Sequence, residues 1–290
     1  MTPPAADAPA LRQVTAALEA MHPLEWAQPW DAVGLVCGDP DAPVRRVHLA
    51  VDPVEEVVEE ALAAGADLLV THHPLFLRGV HSVAATTFKG RVVHRLVRAG
   101  CALYVAHTNA DAGGPGVSDA LARVLDLDDL QPLQPLEALP GRPDLGIGRV
   151  GRLAAPERLA DFADRVAQAL PGTEQGVRVA GDLDALVQRV AVCGGSGDSL
   201  FEQVRASGAD VYVTADLRHH PASEARERAG LEGGRPHLVD VAHWASEWPW
   251  LAGCADRLVA ALARDGRTVD AHVSTKRTDP WSLRVPSRGE

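Results

Sequence analysis

The chain has 290 residues, 46% of them apolar and 23% charged, with a formal net charge of −11. That length carries one large domain or two modest ones with a full hydrophobic core, and that charge disfavours a generic phosphate-binding surface for nucleic acid. The chain does not open on a basic segment followed by an apolar core, and no run approaches the ~18 apolar residues of a membrane span, so a cytoplasmic protein without a membrane anchor is expected.

Leu11, Val14, Leu18 and Met21 recur at helical spacing and predict an amphipathic helix over 9–21. Turn and strand follow over Trp30–Asp39, then a strand from Arg46 to Val51. Asp52-Pro53-Val54-Glu55 has the residues of a helix start: Asp52 to cap, Pro53 in the first turn, Glu55 to complete a capping-box-like pattern. Gly65 ends that helix. The apolar run Asp67 to Thr71 reads as a short buried strand that stops at His72-His73-Pro74. A helix over 90–99, closed by Gly100, leads to a strand from Cys101 to Ala106, then His107-Thr-Asn-Ala-Asp111 and a helix capped by Ser118. From Leu130 to about Pro143 the sequence is Pro-rich and aperiodic, which reads as a linker. A strand near 148–153 and a helix begun by Pro156 and running to Leu170 come next. Strands at 188–193, 210–214 and 237–242 then alternate with helices, and Val269–Val273 alternates as a last strand. This alternation implies an α/β fold with much parallel pairing.

The halves echo one another. Aligned at an offset of 143, residues 46–71 and 189–214 share nine of 26 positions without a gap, among them Gly65-Ala66-Asp67 with Gly208-Ala209-Asp210. His107 and Asp111 correspond to His243 and Glu247 at an offset of 136. The expected architecture is therefore two similar α/β lobes facing a shared metal cleft: lobe one about 9–127, a linker and connecting segment about 128–186, lobe two about 187–282, and a short tail 283–290. The repeat is chemically unequal, since Thr71 leads to His72-His73 and Thr214 to Ala215-Asp216.

Ligands in open α/β sheets gather beyond the carboxyl ends of strands, and that is where these imidazoles and carboxylates fall. His72, His73, Asp111, His243 and Glu247 provide three nitrogen and two carboxylate ligands, a set suited to two divalent metals. Zinc, iron, manganese and nickel all fit such donors. Pro249 places the helix start near Glu247, so His243 is expected to end the strand and Glu247 to open the helix. His107 is either a ligand or an outer partner of Asp111. His220 is a candidate proton donor or substrate contact, against an exposed turn histidine. The four cysteines lie far apart and read as small buried residues.

Gly146-Ile-Gly-Arg-Val-Gly151 matches a dinucleotide fingerprint in letters only, lacking a strand before and a helix directly after. Gly194-Gly-Ser-Gly197 is either a phosphate-holding turn or a tight strand-to-helix connection. Trp244, Trp248 and Trp250 are core or subunit contacts, or else a platform for a base.

Trp30-Asp-Ala-Val-Gly-Leu, Thr71-His-His-Pro74, His107-Thr-Asn-Ala-Asp111 with Pro115-Gly-Val-Ser-Asp119, Gly194–Gly197, His243-x-x-x-Glu247 and Thr278-Asp-Pro-Trp281 together resemble the NIF-three-like family over about residues 10–282. Ala32 and Ala110 depart from the family pattern, at positions that are not ligands. The resemblance implies His72, His73, Asp111, His243 and Glu247 as metal ligands and two ions per subunit. It also implies a toroidal homohexamer, absence of the inserted domain of longer members, and an activity of the GTP cyclohydrolase 1 type 2 kind. The reading is a dinuclear-metal hydrolase acting on a small nucleotide or heterocyclic substrate; the alternative is a non-catalytic metal-binding or regulatory scaffold.

Overall fold

The computed structural model describes residues 8–136, 142 and 144–286. The chain's opening, the stretch at 137–141 and 143 within the expected linker, and the end of the expected tail at 287–290 lie outside the described residues.

Helix α1, Leu11–Met21, buries Leu11, Val14 and Leu18 on one face, as their spacing requires. Strands β1, Gly34–Cys37, and β2, Arg46–Ala50, follow. Helix α2 spans Glu55–Ala63 with Val54 as its N-cap, so the expected Asp52 cap does not form. The Asp52 carboxylate is engaged elsewhere: it accepts from Nδ1 of His73 at 2.7 Å and from the Thr278 hydroxyl. Gly65 closes the helix at a φ of +68°, a conformation glycine adopts without the Cβ penalty.

Strand β3, Leu68–Thr71, is buried throughout. Helix α3, Phe88–Ala99, is capped by the Thr87 hydroxyl, which accepts from the Gly90 N–H at 3.1 Å. After β4, Ala102–Val105, come the short α4, Thr108–Ala112, and α5, Val117–Val124. Ser118 is not the cap of α5. Gly116 is, and the Asp119 carboxylate accepts its N–H at 2.8 Å.

The Pro-rich stretch contains a strand, β5, Asp128–Pro135, at the edge of its sheet, where prolines remove no needed ladder bond. Strand β6, Gly146–Arg158, runs through Pro156, which therefore does not begin a helix. Its pairing shifts register between Arg152 and Glu157, and a shifted ladder tolerates the missing N–H. Helix α6, Leu159–Ala169, buries Leu159, Phe162 and Val166. The remaining elements are β7, Arg178–Ala180; β8, Leu186–Ser196; α7, Phe201–Ala206; β9, Val211–Ala215; α8, His219–Leu231; β10, His237–Val241; α9, His243–Glu247; α10, Trp250–Arg264; and β11, Asp270–Val273.

These elements form two compact units. The first comprises Met1–Gly113 and Leu251–Thr278. Its sheet has the order β1-β4-β3-β2-β11, with β4, β3, β2 and β11 parallel and β1 antiparallel at the edge. Val57 and Val58 of α2 and Val92 and Leu96 of α3 pack on Leu69 and Leu103 of the sheet, all fully buried. Each such side chain contributes roughly 1.5–3 kcal/mol relative to exposure. The second unit comprises Gly114–Trp250 and Asp279–Glu290, with sheet order β5-β6-β8-β9-β10-β7. Here β8, β9 and β10 are parallel and the rest antiparallel. Among the described residues, no helix is long and apolar enough to cross a membrane.

The internal repeat is physical. In the first unit, Asp67 Oδ2 accepts from the N–H groups of Arg45 and Arg46 at 2.7 and 2.9 Å. In the second, Asp210 Oδ2 accepts from Gln188 and Arg189 at 2.9 and 2.8 Å. The Arg46 guanidinium donates to the Ala64 carbonyl, and that of Arg189 to the Ser207 carbonyl. Gly208 repeats the left-handed turn of Gly65 at +69°. The shared letters are thus one device, used twice, that staples the start of one parallel strand to the start of the next.

Candidate metal centre

In the first unit, the donors stand at the carboxyl ends of β3 and β4, where the parallel sheet opens. His72 is 1% exposed and its ring centroid lies 5.1 Å from those of both His73 and His107. One ligand nitrogen from each of these three rings lies within 4.8 Å of the others. Asp111, in α4, places Oδ1 3.7 Å from Nε2 of His72.

Every ring in this group is held through Nδ1. That atom of His72 contacts the Ala106 carbonyl at 2.9 Å, that of His73 the Asp52 carboxylate at 2.7 Å, and that of His107 the Asp31 carboxylate at 2.8 Å. A carbonyl or an ionised carboxylate can only accept, so each Nδ1 carries a proton and it is Nε2 that faces the other rings. Burial by itself would raise the Asp31 carboxyl, but hydrogen bonds from His107 and Thr108 outweigh it and hold the group well below the usual carboxylate range. Asp31 is therefore an anion, committed to holding the imidazole.

The second unit repeats the pattern. His243 and Glu247 lie in one short helix, α9, not on strand end and helix start as Pro249 suggested. Four residues apart, they share a face, and Nε2 of His243 is 2.9 Å from Oε1 of Glu247. Nδ1 of His243 is bonded to Asp216 at 2.7 Å, and Asp216 follows β9 where His73 follows β3 in the other half of the repeat. Ser246 locks α9 to β8: its hydroxyl donates to the His243 carbonyl at 2.7 Å and accepts from the Gly195 N–H at 2.8 Å. The Glu247 carboxylate is buried at 3% exposure.

This arrangement settles the Gly194–Gly197 turn. Its first two N–H groups are taken, by Ser118 at 3.3 Å and Ser246 at 2.8 Å, so they cradle no phosphate. Instead the glycines make room. A Cβ on Gly195, whose φ is +71°, would stand 2.4 Å from Oε1 of Glu247 and 3.1 Å from Nε2 of His243.

His220 is exposed in the first turn of α8, its ring 5.2 Å from that of His219, and it is in no group of three close ligand atoms among the described residues. Trp244 and Trp250 are buried at 6% and 1%, which makes them core. Of the cysteines, Cys101, Cys193 and Cys254 are buried and Cys37 partly so. The sequence reading missed the carboxylates behind the imidazoles, Asp31, Asp52 and Asp216. Only Asp216 left a trace, as the residue standing in the repeat where His73 stands in the first half.

Imidazoles with fixed Nδ1 protons, beside Asp111 and Glu247, are the donors that borderline divalent metals take, with the outer acceptors that orient such ligands. Comparison with known proteins agrees in fold and extent. A "GTP cyclohydrolase 1 type 2 homolog" of Streptomyces coelicolor is 55% identical over 96% of this chain and 96% of its own. A like-named relative from Mycobacterium tuberculosis is 37% identical over 94% of this chain and 97% of its own. That alignment has 379 positions against the 290 residues here, so the mycobacterial protein has at least 89 residues without counterpart in this chain. A crystal structure described as a Bacillus cereus protein related to NIF3 superposes with a TM-score of 0.86 at 25% identity, covering 95% of this chain and 99% of that one. The Duf34/NIF3 (NGG1p interacting factor 3) family matches residues 9–280, and the chain belongs to that family.

Proposed function

We propose that this protein is a dinuclear-metal-dependent hydrolase acting on a small nucleotide or heterocyclic substrate, in the manner named for its GTP cyclohydrolase 1 type 2 relatives. His72, His73 and Asp111 in one unit, and His243 and Glu247 in the other, are the residues that would hold the cations. One observation carries this reading. In both units a histidine that follows a parallel strand has its Nδ1 held by an oxygen acceptor, which turns Nε2 toward the neighbouring donors. A solvated surface histidine needs no such orientation; a metal ligand does.

When bound, such a pair of cations supplies Lewis acidity and brings the pKa of water toward neutrality. The chain's own part is positional. Asp52 and Asp216 accept from Nδ1 of His73 and His243 and orient those rings, and Asp31 does the same for His107. His107, with its proton fixed on Nδ1, offers Nε2 as a base beside His72. The family resemblance extends the proposal to a homohexamer, which light scattering on the purified protein tests.

The decisive experiment loads the protein with metal and offers a panel of nucleotides and phosphoesters. Turnover of at least one substrate, abolished in His72→Ala, is expected. Fully loaded protein that turns over none of them would favour a metal-binding scaffold.

A further inference from the structure

A cavity of about 400 Å³ opens in the unit that contains His243, lined in part by Arg178, Asp216, Trp281, Leu283 and Arg284. That volume lies within the range of small-molecule sites. Asp216 is at once part of its wall and the acceptor for Nδ1 of His243. It holds a left-handed φ of +55°, a strain that a non-glycine residue sustains where its side chain has to point one way. The cavity therefore abuts the residue that sets the tautomer of a proposed ligand.

Its other walls set an indole and two guanidinium groups beside the Glu174 carboxylate and the Gln175 amide. Trp281 is 61% exposed and stacks on no aromatic ring among the described residues. A large apolar face left open at the rim of a cavity is a platform without its cover. Arg178 commits Nε and Nη2 to the buried carboxylate of Asp240, and Nη1 has no hydrogen bond among the described residues. Arg284 has no ion pair among the described residues. Two guanidinium groups thus flank an exposed indole, with the carboxylates of Glu174 and Asp216 in the same wall. Arginine forks suit planar anions such as phosphate and carboxylate.

We propose that this cavity binds a planar heterocycle bearing an anionic group, with the ring stacked on Trp281 and the anion held by Arg284 and Nη1 of Arg178. The assignment rests on the metal-hydrolase reading only for its direction, the ligand's reactive edge being turned toward His243; binding itself requires no metal chemistry. The closing sequence Thr278-Asp-Pro-Trp281 then acquires a use, bringing an aromatic platform to the centre's edge.

Calorimetry on the purified protein with guanosine 5′-monophosphate and nicotinamide mononucleotide, and with their nucleosides and inorganic phosphate as controls, tests this. At least one mononucleotide should bind. Trp281→Ala should weaken it about ten-fold or more, while Trp281→Phe restores most of the affinity. Arg284→Ala should weaken the mononucleotide and leave the nucleoside unchanged. Both side chains are exposed, so these variants fold. Binding of neither mononucleotide, or equal binding by Trp281→Ala and wild type, would overturn the proposal. Failure here with turnover intact in the metal-loaded protein refutes the cavity alone. Binding with the expected dependence but no turnover refutes the hydrolase reading and leaves the cavity standing.

Discussion

Replacing Gly195 by alanine should remove metal from the His243–Glu247 half of the centre while leaving the protein folded. The added Cβ would lie 2.4 Å from Oε1 of Glu247, against the 3.4 Å or more of ordinary contact, so one of the two must move by roughly 1 Å. The backbone cannot retreat freely. The Gly195 N–H is bonded to Ser246 at 2.8 Å and its carbonyl accepts from the Thr214 hydroxyl at 2.9 Å. The carboxylate is displaced instead, by several times the ~0.2 Å that metal–ligand distances tolerate. A non-glycine residue at a φ of +71° costs roughly a further 1–2 kcal/mol, which a domain with about 5–15 kcal/mol of stability survives. Gly208→Ala is the matched control: the same left-handed strain at +69°, with nothing within 4 Å of the new Cβ. The assay is elemental analysis of metal per chain alongside urea unfolding. Gly195→Ala should lose at least as much stability as Gly208→Ala, and only Gly195→Ala should lose metal. Wild-type metal content and affinity in Gly195→Ala would refute the reasoning.

Asp52→Ala, which removes the acceptor for Nδ1 of His73, should weaken metal binding about 10–100-fold in a chelator-competition titration, and Asp52→Asn, whose amide oxygen still accepts, should recover part of it. Arg149 is 2% exposed and doubly bonded to Asp119 at 2.9 and 2.8 Å, so Arg149→Ala strands a buried carboxylate and should cost about 3–5 kcal/mol in urea unfolding; a loss under 1 kcal/mol would count against the buried pair. Burial, with Arg257 and His72 adding to it, pushes the His22 imidazole down to about 3. The folded protein keeps it neutral while the unfolded chain takes up a proton below about 6.5. Stability should therefore fall as pH drops from about 6.5 toward 3, and His22→Asn should flatten that decline in unfolding midpoints measured across the range; equal slopes would contradict it.

The parallel strands were legible because they are buried on both faces and read as short apolar runs, as in Leu68–Thr71 and Val211–Ala215. The repeat was legible because Asp67 and Asp210 perform one hydrogen-bonding task, each accepting two N–H groups at the start of the neighbouring strand. Strand β5 was hidden because an edge strand escapes the rules that exclude proline from sheets. The helix starts were misplaced at Asp52 and Ser118 because a capping residue can be drawn away by a tertiary partner, here His73 and Gly194. The donor residues could be named from their places after strands, but not the carboxylates behind them. Asp31 meets His107 across 76 positions of sequence and Asp52 meets His73 across 21, spacings that carry no local signal.

Anomalous diffraction from crystals of the protein as purified, collected on both sides of the metal absorption edge, would locate the cations and the atoms that hold them. Two cations per chain, bound through Nε2 of His72, His73 and His243 and through the carboxylates of Asp111 and Glu247, are predicted. Ions bound through Nδ1, or no anomalous density near these five side chains in protein of full metal content, would contradict that prediction.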